Sequence, residues 1–219
     1  MFGVLLDKRV LSTAVSVGIA TGLYGVSFGA LGVVAGLDIP SVMLLSLLMF
    51  SGASQYAFIG VIAAGGAPIT AISSAWLLGI RNSFYALRLN AEIGPRGLLR
   101  ILAAQLTIDE SNAVSSAQST KALQRYGFWA TGVSVFVFWN TATLIGAIAG
   151  DLLGSVETWG LDAAAAAAFL GLLWPRLKAN WLLALLGLTC AIALTPILPA
   201  GLPVLVAAVI ALLPIGNKK

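Results

Sequence analysis

The 219-residue chain has no histidine and a single cysteine, Cys190. Without histidine it lacks the usual neutral-pH proton carrier and the commonest metal ligand. One cysteine excludes an intrachain disulfide and any thiolate cluster. No metal or cofactor is therefore expected. Charge is scarce as well: 9% of residues are Asp, Glu, Lys or Arg, against about a quarter in soluble domains. There is no Walker loop and no histidine for a nucleophile–base dyad, so the chain does not read as an enzyme. The net charge of +4 sits in short connections. It reads as a topology signal and not as a nucleic-acid footprint.

What is present is apolar sequence, 59% of the chain. Runs at 10–35, 39–50, 56–65, 68–90, 128–150, 162–175, 179–198 and 201–216 occupy most of its length. This predicts one integral membrane domain over 1–219, an all-α polytopic bundle of about seven or eight membrane segments. The first run carries Gly18, Gly22, Gly25, Gly29, Gly32 and Gly36. That spacing keeps all six within roughly a quarter of a helix circumference. Such seams let another backbone approach closely in lipid, so a second helix or a substrate is expected along it. Gly146, Gly150 and Gly154 form a second seam.

Basic residues orient membrane segments. Lys8 and Arg9, then Arg88, Arg96, Arg100, Lys121 and Arg125, then Arg176, Lys178, Lys218 and Lys219 mark cytoplasmic connections. The acidic 151–162 suits the outside. An even number of crossings must then precede residue 91, yet 39–50 and 56–65 are each shorter than the roughly 20 residues a span needs. The element 39–65 is therefore expected to be broken or re-entrant, two half-helices meeting around Ser51 to Gln55. A continuous helix there would put the N-terminus outside. Residues 91–127 are too charged for a lipid-facing span and are expected to form a cytoplasmic amphipathic connection, with one helix over 97–118. Gly36-Leu37-Asp38 recurs as Gly160-Leu161-Asp162, which fits either chance or a duplication of halves 10–90 and 128–216, parallel or inverted.

Several polar groups interrupt the apolar runs. Ser51, Gly52, Ser54 and Gln55, after Phe50, are expensive in hydrocarbon unless they bond to protein, water or substrate. A break here would free amides at a half-helix N-terminus, a carboxylate site; alternatively the serines bond to their own helix and Gln55 to a neighbour. Arg81, beside Asn82, lies too deep to snorkel easily and either pairs with an acid or holds a carboxylate. Asp109 and Glu110 are adjacent and point about 100° apart. They are candidates for proton coupling, for a salt bridge to Arg81, or for a cap. Asn140 is an interhelical hydrogen bond or a substrate contact. Asp38 and Asp162 read as helix-end acids. The tryptophans 76, 129, 139, 159, 174 and 181 read mostly as an interfacial belt.

The ordered motifs GALGVVAGLDIPSVMLLSLLMFSGASQYA, IRNSFYALRLN, LTIDES and LIGAIAGDLLG, followed by GLD and FLGLL, resemble the AzlC family of bacterial branched-chain amino-acid exporters, from about Gly18 to Leu173. The resemblance implies a multi-pass permease of the bacterial inner membrane that exports leucine, isoleucine, valine and often methionine. It implies a small AzlD-type membrane subunit as partner and the membrane potential or proton gradient as driving force. The family's phenylalanine–small–glycine–small–glutamine motif falls on Phe50, Ser51, Gly52, Ala53, Ser54 and Gln55. Its arginine falls on Arg81, and its threonine–aspartate–glutamate motif on Thr107, Asp109 and Glu110, with Ile108 inserted. Asn82 stands where the family usually has histidine and cannot titrate. The side-chain pocket is expected from the first helix with Phe50, Phe58 and Phe84. The readings from other classes are a membrane assembly or scaffold subunit, and a passive channel for another small solute.

Overall fold

The computed structural model describes residues 7–153 and 161–210. Among these every regular element is a helix: α1 Lys8–Val34, α2 Ile39–Leu48, α3 Gly52–Ala63, α4 Pro68–Ile93, α5 Leu98–Gln105, α6 Asp109–Ser116, α7 Lys121–Leu153, α8 Leu161–Leu194 and α9 Leu202–Ile210. Among the described residues two helices are long and apolar enough to cross a membrane, Lys8–Val34 and Lys121–Leu152. The start of α1 and the α1–α2 turn are built on residues the sequence marks. Asp7 caps α1 by accepting from the Arg9 and Val10 amides. Gly36 takes φ +92° where α1 stops, and Asp38 caps α2 by accepting from the Ser41 amide. The Ser41 hydroxyl and amide hold the Asp38 carboxyl below its usual range. That cap is therefore retained above the ordinary carboxylate pKa and lost only as pH falls through the lowered one.

The glycine seam is filled by α7. A Cβ at Gly22 would lie 2.7 Å from Phe138 Cβ, one at Gly25 2.7 Å from the Trp139 carbonyl oxygen, and one at Gly150 2.8 Å from Ala30 Cα. Gly18 faces Ser134, Gly29 faces Thr143 and Ala147, and Gly146 faces Val26. Partner numbers rise together along both helices, so α1 and α7 run parallel. The seam is thus filled by helix packing. Two of its six members serve otherwise: Gly32 meets Val42 of α2, and Gly36 is the exposed turn glycine.

The element 39–65 is broken, as its length requires. Residues 49–51 are non-helical and α2 and α3 fold back on each other. Gln55 Nε2 lies 3.3 Å from the Leu45 carbonyl oxygen. Ten residues of continuous helix would separate them by about 15 Å. Residues 97–118 form two helices and not the single amphipathic helix expected. α5 and α6 turn at 106–108, and this second hairpin is folded into the bundle. α6 runs antiparallel to α7, with Val114 near Gly127 and the Ser115 hydroxyl donating to the Gln124 carbonyl at 3.0 Å. α4 ends beside the start of α7, since a Cβ at Gly94 would touch Arg125 at 3.4 Å. A long helix followed by a pair of half-helices therefore occurs twice, as α1–α3 and as α4–α6. The two units point in opposite directions, and the hairpin tips meet: Gln105 Nε2 donates to the Leu47 and Leu48 carbonyls at 2.7 and 3.3 Å.

α8 continues through Pro175 and the connection expected between the runs 162–175 and 179–198, and bends at Asn180 (φ −131°, ψ 34°). Gly154, Glu157, Trp159, Gly160, Lys218 and Lys219 lie outside the described residues, as do the side chains of Asp162, the alanine run 163–168, Arg176 and Lys178.

One methyl group separates the two kinds of glycine. Gly29→Ala places its Cβ on the Thr143 carbonyl and is expected to destabilise the bundle by about 1–3 kcal/mol. Gly60→Ala meets nothing within 4 Å and is expected to stabilise it slightly, by up to about 1 kcal/mol. Thermal unfolding of the two variants in detergent checks this.

Candidate functional site

The two hairpin breaks and the middles of α1, α4 and α7 enclose a cavity of about 200 Å³. Pockets for drug-sized ligands run about 300–1,000 Å³, so this one suits a smaller molecule. Phe50, Ser51, Gly52, Ala53 and Tyr56 line it from the first hairpin, Arg81 and Asn82 from α4, and Ile108, Asp109 and Glu110 from the second hairpin. Thr21 and Tyr24 of α1 and Val135 and Trp139 of α7 complete the wall.

The break at 49–51 survives because its backbone is accounted for. The last four carbonyls of a helix have no intrahelical donor. Here Met49 N–H returns to Leu45 at 3.0 Å. Gln55 Nε2 lies 2.9 Å from the Met49 oxygen and 3.5 Å from that of Ser46, and Gln105 serves Leu47 and Leu48. Gln55 is fully buried and turned towards α2, so it shapes the break and does not line the cavity. Ser54 donates to the Ser51 hydroxyl at 3.2 Å.

At the start of α3 the accounting is left open. The amides of Gly52, Ala53 and Ser54 have no helical carbonyl to reach, and Ser51 makes no capping bond to them. Of these residues, at the positive end of the helix dipole, Gly52 and Ala53 stand in the cavity wall. The start of α6 is the reverse: Asp109 and Glu110 occupy its first turn, where negative charge is favoured.

Arg81 and Asp109 form an ion pair at 2.5 Å, with 34% and 29% of their side chains exposed. Asp109 Oδ1 also accepts from the Tyr85 hydroxyl at 2.8 Å. Tyr85 stands four residues after Arg81, on the same face of α4, a spacing from which it could have been found. Glu110 is half-buried and receives the Thr21 hydroxyl at 3.5 Å. Arg81 Nε, Asn82 Oδ1 and Trp139 Nε1 are buried and have no protein partner.

Other expected site residues lie elsewhere. Asn140 Nδ2 bonds its own helix, to the Phe136 carbonyl at 2.8 Å, and is not in the cavity wall. Phe84 is 67% exposed and points away. Phe58 lines an open groove of about 600 Å³ between α4 and the hairpin tips, which shares Phe50, Ser51 and Asn82 with the cavity wall. Trp139 is not part of a belt: it is buried, stacked near Phe28 at 6.1 Å, whereas Trp76, Trp174 and Trp181 are exposed. Thr21, Tyr24, Ile108, Val135 and Trp139 were not singled out for the cavity, since nothing in their local sequence marks them. Gly25-Val26-Ser27-Phe28-Gly29 has the spacing of a nucleophile elbow, but it lies inside α1 and not at the strand-to-helix turn that motif needs. Among the described residues no cluster of His, Cys, Asp or Glu could hold a metal.

A family model described as AzlC protein matches residues 16–153, a stretch that includes every residue of the cavity wall. No curated protein and no solved structure matches the chain.

Arg81 and Asp109 are expected to act as a unit. Arg81→Ala and Asp109→Ala should each lower the melting temperature, and the double variant should recover part of the loss. A double-mutant cycle is expected to give a coupling of about 1–3 kcal/mol.

Proposed function

The chain belongs to the AzlC family, and from that premise we propose that it is a secondary transporter exporting branched-chain amino acids. Leucine, isoleucine and valine are the intended substrates, with methionine accepted. The observation that carries this reading is the pairing of opposite charges across one small cavity. The uncapped start of α3 suits the substrate carboxylate, and the carboxylates at the start of α6 suit its ammonium group. Phe50, Tyr24, Val135 and Trp139 offer apolar surface for the side chain. An apolar wall discriminates one methylene by only about 1–3 kcal/mol, which favours a broad preference among these substrates. Half-helix ends around a central site are how secondary transporters commonly hold substrate and coupling ion.

The same reading places the chain as a multi-pass protein of the bacterial inner membrane, spanned by α1, α4 and α7. The parallel course of α1 and α7 brings Lys8, Arg9, Lys121 and Arg125 to one end. Arg88, Arg96 and Arg100 follow α4 to that end, which is then cytoplasmic by the charge rule. Two crossings, α1 and α4, precede residue 91, and each hairpin enters and leaves on one side. A small AzlD-type membrane subunit completes the transporter in this proposal.

The test is efflux of radiolabelled isoleucine from cells producing the chain with and without a small membrane subunit. Efflux against a gradient is expected; its absence in both cases overturns the transport reading, and equilibration without accumulation points to a channel. Ser51→Asp is expected to weaken isoleucine binding at least tenfold, because a built-in carboxylate then takes the free α3 amides. Wild-type affinity in that variant would remove the α3 terminus from the site.

A further inference from the structure

This inference rests on the amino-acid reading of the cavity and assigns unequal roles to its two neighbouring carboxylates. Asp109 is fully engaged, one oxygen with Arg81 and the other with the Tyr85 hydroxyl. Glu110, one residue on and rotated by about 100°, has the Thr21 hydroxyl at 3.5 Å. The titratable and charged groups around it come from each packed element. α1 supplies Tyr24, α3 supplies Tyr56, α4 supplies Arg81 and α6 supplies Asp109. α7 presents Val135 and Trp139 there; its Lys121 and Arg125 lie towards the far end of α6, where Ser115 meets Gln124. Two carboxylates thus face one guanidinium in the cavity wall, and that guanidinium is committed to Asp109. With both acids ionised, the wall holds one negative charge in excess. A poorly solvated charge without a counter-charge is costly. A proton or a substrate ammonium group can each neutralise it, and both need the same oxygen atoms.

We propose that Glu110 is the exchange carboxylate: it holds a proton when the cavity is empty and releases it when an amino acid's ammonium group takes that place. The step is a proton transfer to water. Glu110 as the neutral acid plus the bound ammonium group becomes the Glu110 carboxylate paired with that ammonium, plus one proton released. No bond to carbon forms or breaks and no electron moves. The substrate and the proton exclude each other, so they cross in opposite directions and an inward proton gradient drives amino-acid efflux. Asp109 and Arg81 stay paired with each other and position the start of α6.

Proton release on binding tests this without a membrane. The full chain in detergent, weakly buffered with a pH dye between pH 5 and 8, is titrated with isoleucine. Up to one proton released per isoleucine is expected, and the apparent Kd should rise tenfold for each pH unit below the titration midpoint, as mutual exclusion requires. Glu110→Gln should bind more weakly, with a Kd independent of pH and no release. Glu110→Asp should restore release. Glu92→Gln, whose carboxylate lies near Arg88 at the basic end of α4, should behave as wild type. Wild-type binding without proton release, or release that persists in Glu110→Gln, overturns the assignment. If Glu110→Gln does not fold, the wild-type stoichiometry and pH slope still decide. Failure of the wild type to bind isoleucine at all overturns the amino-acid reading itself, a result distinct from binding without release.

Discussion

The rest of the structure depends on the backbone contact between α1 and α7. Glycines on both helices remove the side chains that would hold them apart, so the Gly146 position meets the Val26 backbone and the Gly29 position meets the Thr143 carbonyl. Interior glycine weakens a helix by about 1 kcal/mol relative to alanine. The close approach offsets this through dispersion contacts along most of two long helices. It sets two parallel rods, one with Thr21 and Tyr24 and the other with Val135 and Trp139, at matching heights. The cavity wall has its fixed side there.

Against that frame stand two interrupted helices, and interruption creates both a problem and an opportunity. A helix end buried among apolar groups leaves carbonyls and amides that must find partners. The carbonyl end of α2 is served by two glutamines, Gln55 from its own hairpin and Gln105 from the other. The tips are thereby tied to each other as well as satisfied. The amide end of α3 is not served by protein, and it faces the cavity. A satisfied carbonyl end beside an unserved amide end gives the site a preferred sign of ligand charge on one wall. The acids at the start of α6 give the opposite sign on the other.

The electrostatics of the second wall follow from which acid reaches the arginine. Asp109 has the shorter side chain and the better geometry, with Arg81 and Tyr85 both on α4. Glu110, on the next position, cannot share that face. Adjacent residues on a helix are thus made chemically unequal by packing alone, one bonded to Arg81 and Tyr85 and the other left beside the Thr21 hydroxyl.

From the sequence alone came the helical class, the family, the two seams and the broken element at 39–65. These depend on composition, fixed spacing and run length, all of which are local. The pairing of Arg81 with an acid was open in the sequence, and only the fold chose Asp109. The single helix expected over 97–118 was wrong because Leu98, Ile101, Leu102, Leu106 and Ile108 keep helical spacing across a break that no proline or glycine announces. What holds the break is one local bond, from the Ser111 hydroxyl to the Leu106 carbonyl at 2.6 Å, and one tertiary one, from Gln105 to the facing hairpin. The same holds for Gln55, whose polarity marked the right place but whose partners, ten or fewer residues away, are reachable only after the chain folds back. Spacing decided which residues share a face; the return of the chain on itself decided what each face meets.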